Sequence, residues 1–485
     1  MWSQLEPTAP HISYLTISIF LILFALFSIL IRNRLHLSEP PLAVVYGIIL
    51  GPAVLHVLSP HQDWGLTDIF TQEGTRVILA LQCFAVGIEL PAHWFSARRH
   101  WLSVVYFLGP IMTFSWAVTS LFAYYIFKVN APTAMIIGAC LSPTDPVLAA
   151  SVLGESMFSK RVPTRLRNLL SAESACNDGA SFPFLYIGLS IFETRTAGDA
   201  VKEWFLITIL YQCLLGLLIG YGLGWVANRS LRFSEDRGYT SRPSLVVFYL
   251  LLALLCVGVG STLGSDDFLL AFGAGIGFAH DGWFSRKEEE AQGEAPFRNI
   301  VDLVLDSSMF VYFGSMIPWT EFVPKTDGVL HGHIGVGSLF LFLALVLLFR
   351  RLPAVLVMHV GKVIPDVKTY KEALFCGHFG PMGVGALFLA IEARANLETG
   401  TSAPLPRPKT PVGPPYNDRE VAISLIWPVV CFVVLGSTMV HGLSGLVISL
   451  GGHFSRRTSE QAPLLGGERD GLTGMVHDSE DDRDD

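Results

Sequence analysis

Apolar runs of about 18 residues or more recur along nearly the whole of this 485-residue chain, and that recurrence decides what it can fold into. In hydrocarbon each backbone N–H and C=O must find its partner inside the protein, which favours membrane-spanning helices. Thirteen segments are expected between residues 12 and 450, giving an all-α polytopic membrane protein. With 51% hydrophobic and only 15% charged residues, the chain does not read as a soluble domain of this size. The net charge of −8 says little about partners, because much of the acid sits in the C-terminal tail, and no basic patch for nucleic acid is present. The seven cysteines fall in apolar segments without metal spacing and read as small core residues. The first segment, Ile12–Ile31, lacks a small-residue cleavage site and reads as a retained helix.

Loop charge predicts the orientation. Arginine and lysine collect in alternate loops, among them Arg98 and Arg99, then Lys160, Arg161, Arg165 and Arg167, then Arg229, Arg232, Arg237 and Arg242. Positive loops stay cytoplasmic, so residues 1–11 are expected outside and the C-terminus inside. A Pro-rich stretch, 393–420, is expected as an extracellular loop, and 452–485 as a short acidic disordered cytoplasmic tail. Within that tail, Glu460-Gln461-Ala462-Pro463-Leu464-Leu465 looks like an acidic dileucine sorting signal.

Two segments carry helix breakers in matching positions. The fifth, Ala131–Leu153, is interrupted by Pro143 and Pro146; the twelfth, Glu372–Ala390, by Gly377, Gly380, Pro381, Gly383 and Gly385. Broken helices seven segments apart point to inverted repeats, with freed carbonyls and half-helix ends at the bilayer midplane.

Acids lie at the same depth. A carboxylate there costs about 2.5–3.5 kcal/mol on insertion scales, so one is rarely kept without a task. Asp145 sits in the fifth segment, in Ser142-Pro143-Thr144-Asp145-Pro146; the sixth contains Glu173-Ser174-Ala175-Cys176-Asn177-Asp178. At helical spacing Asp178 shares a face with Ser174, and Glu173 with Asn177 about 100° away. Asp178 and Ser174, with Thr144 and Asp145, offer hard oxygen ligands suited to Na⁺, and Asn177 is taken with them as an ion-binding residue. A buried carboxylate holds either a proton or a cation, and that competition suffices for exchange if the site faces one side at a time. Glu173 points elsewhere and needs a partner; Arg350, Arg351 and His378 are the basic candidates, with a pH-sensing role open for His378. Asp266 and Asp267 either cap the short ninth helix, Phe268–Ala279, or form an outer cation vestibule. Asp302 and Asp306, four apart on the tenth segment, either line an inner funnel or form a polar helix face, and Glu89 ends the third segment similarly.

The two motifs, in order and one segment apart, resemble the Thr-Asp-Pro and Glu-Ser-x-x-Asn-Asp signatures of monovalent cation/proton antiporters. Phe182-Pro183-Phe184, Gly264-Ser265-Asp266-Asp267 and Gly377-His378-Phe379-Gly380-Pro381 are similar to the fungal plasma-membrane Na⁺/H⁺ type. The resemblance implies a homodimer in which a core domain with crossed broken helices 5 and 12 moves against a dimerisation domain. It makes Asp178 the exchanging carboxylate, places Asp145, Thr144 and Ser174 around the ion, and leaves Glu173 in support. The Asn177-Asp178 pair implies electroneutral exchange, and the short tail implies little tail-based regulation. Many relatives carry an arginine in the twelfth helix facing the equivalent of Glu173; here the run reads Gly377-His378-Phe379-Gly380, so the resemblance does not name that partner.

The expected activity is export of Na⁺ and Li⁺ in exchange for H⁺ across the plasma membrane, with no enzymatic chemistry, organic cofactor or nucleic-acid partner. The alternatives are a K⁺(Na⁺)/H⁺ antiporter of an endosomal membrane, which the dileucine-like element suits, and a Na⁺-coupled symporter of an organic solute. An intramembrane aspartyl protease would need a Gly-x-Gly-Asp context, which Asp145 and Asp178 lack, and a passive channel fits occluding broken helices poorly.

Overall fold

The computed structural model describes residues 8–444 except 36, 147, 149–161, 193–195, 293–296, 327, 407 and 410–412. Every regular element among the described residues is helical. Five helices are long and apolar enough to cross a membrane: Ala9–Arg32, Arg98–Phe127, Gly198–Asp236, Val336–Val360 and Asp418–Gly442. Shorter apolar helices include Glu39–Leu50, Ala131–Cys140, Asp267–Ala279 and Leu303–Met316. The expected dileucine signal and the tail 452–485 lie outside the described residues.

The helices sort into two groups by contact. In one, Asp68–Glu89, Arg242–Leu263 and Gly216–Asp236 surround Asp267–Ala279, with Glu39–Leu50 packed on Phe297–Met316. Gly220 and Gly224 meet the backbone of the short Asp267–Ala279 helix, and Gly273 and Gly277 return the approach, leaving no room for a Cβ. Small residues let helices touch backbone to backbone where lipid offers no hydrophobic drive. In the other group, Ala131–Cys140 is packed by Met112–Phe127, Phe182–Phe192, Val384–Thr399 and Asp418–Gly442. The Thr164–Ala180 helix runs along the seam, touching Asp267–Ala279 and Asp68–Glu89 from the first group.

Local chemistry sets the breaks. The Ala131–Cys140 helix opens on an Asn130 cap, whose side chain accepts from the Thr133 N–H at 3.0 Å. It stops before Pro143 and Pro146, neither of which can donate to a helical ladder. The chain re-enters helical geometry at Pro146, and the continuation over 149–161 lies outside the described residues. The second break separates Tyr370–His378 from Val384–Thr399.

Three expectations shift. The helix after the second break does not end at Ala390 but continues to Thr399, so the Pro-rich loop starts at Gly400 rather than at residue 393. Glu392 and Arg394, read from sequence as the edge of a polar loop, are buried because each has a partner across the seam. Likewise the third segment, expected over Thr75–Pro91, is a helix that begins at Asp68, about two turns earlier. The eleventh segment, expected over Val336–Val360 with Arg350 and Arg351 either inside it or at its end, is divided at those two residues into Val336–Phe349 and Leu352–Val360.

Candidate functional site

Around the first break the polar side chains form one connected set. The backbone N–H of Thr144 donates to Asn177 Oδ1 at 3.1 Å, and Asn177 Nδ2 donates to Thr144 Oγ1 at 2.8 Å and to Glu173 Oε1 at 2.9 Å. Thr144 Oγ1 is also 2.8 Å from Ser174 Oγ. The Asn177 amide is therefore committed at both ends: it braces the break against the Thr164–Ala180 helix instead of standing free as an ion ligand. Ser174 is tied to Thr144 in the same way, though its oxygen retains acceptor capacity.

Asp145 stitches the two breaks together. Its backbone N–H donates to the Pro381 carbonyl at 2.8 Å. One carboxylate oxygen accepts from Leu148 N–H at 2.9 Å and the other from Val384 N–H at 2.8 Å. Each of those N–H groups opens a half-helix, where orphan donors and the helix dipole favour an anion. Gly383 is required by this approach, since a Cβ there would strike the Asp145 carboxylate.

Two arginines complete the frame. Arg350 donates to the carbonyls of Leu141 and of Ser142, the latter at 3.3 Å, and to that of Gly380 at 2.5 Å. These are oxygens that both breaks leave without helical donors. Arg351 answers the question of Glu173's partner: its two terminal nitrogens reach the two carboxylate oxygens at 2.8 and 2.9 Å. A third bond, from Arg351 Nε to the Cys376 carbonyl at 2.9 Å, fixes the guanidinium plane. His378 takes no part in that pairing; its ring is exposed and lies 5.4 Å from that of His441.

Against this satisfied background Asp178 differs. It is 1% exposed, and neither carboxylate oxygen has a hydrogen-bond partner among the described residues. Gly385 makes room for it, because a Cβ at that position would meet Asp178 Oδ1. Asp145, Asp266 and Glu173 are the carboxylates near enough to act on it electrostatically. An unpartnered buried carboxylate costs several kcal/mol unless it takes a proton or a cation.

Asp266 does cap the Asp267–Ala279 helix, accepting from Phe268 N–H at 2.9 Å and Leu269 N–H at 3.0 Å. Its carboxylate also lies against Gly179, next in the chain to Asp178. Asp267 pairs with Arg76 and accepts from Ser261 Oγ at 3.1 Å. A cavity of about 170 Å³ opens beside them, lined by Arg76, Gln212, Asp266, Asp267, Phe388 and Glu392. Asp306 turns inward and accepts from Gln82 at 2.6 Å. The side chain of Asp302 lies outside the described residues, and Glu89 is exposed at the end of its helix.

Sequence reasoning missed a second polar set. Arg165, on the same helix as Asp178, grips both oxygens of Glu372 at 3.0 and 2.5 Å and also donates to the Asp366 carbonyl. Asp366 in turn meets His100 at 3.0 Å, whose ring stacks on Trp94. The one available signal was Thr369-x-x-Glu372, a capping box that the structure forms.

The sodium/hydrogen exchanger transmembrane family profile matches residues 20–448. The chain belongs to the sodium/hydrogen exchanger family. It is 41% identical over 465 residues to Na⁺/H⁺ antiporter 2 of Zygosaccharomyces rouxii, covering 95% of this chain and 55% of that one. It is equally 41% identical over 463 residues to a Na⁺/H⁺ antiporter of Saccharomyces cerevisiae, covering 94% and 45%. The chain thus spans about half the length of these relatives. A Na⁺/H⁺ antiporter of Schizosaccharomyces pombe is 34% identical with 93% and 92% coverage. Among solved structures, a sodium proton antiporter of Methanocaldococcus jannaschii superposes with a TM-score of 0.64 at 16% identity, covering 89% of this chain and 98% of its own. That likeness shows a shared antiporter fold. The family is one of membrane exchangers, this chain has helices long and apolar enough to cross a membrane, and membership gives the unpartnered Asp178 a chemical context.

Proposed function

We propose that this exchanger moves Na⁺ and Li⁺ out of the cytoplasm in exchange for H⁺ by alternating access, with Asp178 as the shared carboxylate. One observation carries the reading: Asp178 is buried with both oxygens unpartnered, while the groups around it hold one another. Asp145, Thr144 and Ser174 supply the remaining oxygens toward the ion. Asn177, Glu173, Arg350 and Arg351 hold the frame. Asp266 and Asp267 form the outer vestibule, a reading supported by the cavity that both residues line. The binding of a cation releases the proton, and the protonated acid returns empty.

At the scale of the assembly, we read a homodimer of thirteen-helix protomers in the plasma membrane, N-terminus outside and C-terminus in the cytoplasm. Loop charge supports the orientation. Full-length protein reconstituted into vesicles with a pH-sensitive dye tests the reading. Adding Na⁺ or Li⁺ should shift lumenal pH, K⁺ serving as the selectivity comparison. Asp178→Asn should abolish the response while the protein remains folded; continued exchange in that variant would refute the assignment.

A further inference from the structure

The unwound stretch between His378 and Val384 holds Asp145 by two atoms, the Pro381 carbonyl and the Val384 N–H at its end. Met382 lies between them, so whatever fixes Met382 fixes both. Arg350 takes the Gly380 carbonyl and Asp145 takes the other two groups. The N–H of Met382, within the stretch, and the carbonyl of His378, at its start, are both met by one helix, Asp418–Gly442. Ser437 Oγ accepts from Met382 N–H at 2.8 Å, and His441 Nε2 lies 3.1 Å from the His378 carbonyl, which also accepts from Gly380 N–H. Ser437 and His441 are one helical turn apart on one face, and both are buried.

We propose that Ser437 and His441 are positioning residues for the cation site, a clamp that grips the second break at these two points and through it sets the carboxylate of Asp145. This rests on the reading of Asp145 and Asp178 as the ion site. Two carbonyls face the His441 ring, that of His378 at Nε2 and that of Ser437 at Nδ1, 2.9 Å away, with the Ser437 hydroxyl also 3.2 Å from Nδ1. A neutral ring donates to one carbonyl and a doubly protonated ring to both; the His378 side of the clamp is closed by the Nε2–H tautomer or by the doubly protonated ring. Ser437 Oγ accepts from Met382 N–H whichever form the ring takes. The helix is anchored beyond the clamp, where the Gly442 carbonyl accepts from Ser38 Oγ at 2.9 Å.

Two measurements on the full chain test this. Hydrogen–deuterium exchange of the purified protein reads the clamp without any transport. Ser437→Ala should speed exchange of peptides covering 379–386 by about tenfold, as expected for one lost buried hydrogen bond. Peptides from Thr164–Ala180 should be unchanged, which controls for folding, and Ser437→Thr should restore protection. In vesicles, Ser437→Ala and His441→Ala should raise KM for Na⁺ and Li⁺ by about five- to tenfold with kcat within about twofold. His441→Gln, which keeps a donor, should approach the wild type. Unchanged exchange in Ser437→Ala, or a fall in kcat at constant KM, overturns the clamp. If the exchange contrast stands while wild-type vesicles are silent, the clamp holds and the antiport reading falls; if vesicles are active and the contrast is absent, the reverse follows.

Discussion

At the scale of single residues, two buried acids five positions apart on one helix take opposite electrostatic fates. Glu173 is neutralised by a two-pronged guanidinium and by Asn177, so its charge is accounted for within the protein. Asp178 has no such partner among the described residues and must look to a mobile cation or proton. The contrast predicts opposite mutational signatures. Arg351→Ala leaves the Glu173 charge buried and unpaired, which costs about 3–5 kcal/mol when a buried pair loses one member. The double variant Glu173→Gln with Arg351→Gln should recover much of that loss, and thermal unfolding of the detergent-solubilised proteins measures both. Asp178→Asn removes an unpartnered charge instead. It should leave the unfolding temperature level or higher while exchange is lost, and a drop comparable to that of Arg351→Ala would contradict the contrast.

At the scale of elements, the site is two helix breaks held face to face, and glycine decides how closely they approach. Gly385→Ala puts a methyl against the Asp178 carboxylate. The buried helix around it is tightly packed, so the acid has to give way. Exchange should fall by at least about tenfold with the protein still folded, read as vesicle flux against thermal stability. Gly222, on an exposed face with open space around its Cα, is the matched control and should tolerate alanine. The breaks were legible in the sequence because proline cannot donate and glycine runs weaken helices; Pro143, Pro146 and Gly380–Gly383 sit where the chain unwinds. The motif residues Thr144, Asp145, Ser174, Asn177 and Asp178 were legible as well, and the structure gathers them. Pairing across the chain was not. Arg351 lies 178 residues from Glu173, and nothing in local pattern distinguishes it from Arg350, which spends its donors on carbonyls instead. Helix ends were misjudged for a related reason. Charged residues such as Asp68, Glu392 and Arg394 normally end an apolar run, but mutual pairing lets the helices carry them inside.

At the scale of the whole molecule, Asp178 lies on the seam between two helix groups, and alternating access requires that the seam shift. One end of it is held by polar contacts between the Asp68–Glu89 and Val384–Thr399 helices. Arg394 reaches Asp68 at 2.5 Å, and Gln72 donates to Glu392 at 2.8 Å. In the orientation proposed above, this end faces outside. If the groups slide during exchange, those contacts part and reform in each cycle, whereas the ion pair of Arg165 with Glu372, which ties the Thr164–Ala180 helix to the half-helix before the second break, is expected to stay closed. A covalent tie across the seam should therefore stop transport. Cysteines introduced as Asp68→Cys with Arg394→Cys, joined by a cleavable bifunctional thiol reagent, should reduce flux to less than about a tenth, and cleaving the linker should restore it. The same tie between Arg165→Cys and Glu372→Cys should leave the linker effect small beyond that of the substitutions themselves. All seven native cysteines are buried, as are Asp68 and Arg394, so each single-cysteine variant treated with the same reagent is the control. Undiminished flux through fully cross-linked Asp68→Cys/Arg394→Cys protein would mean that this seam does not move, and a different pair of surfaces would have to open the path to Asp178.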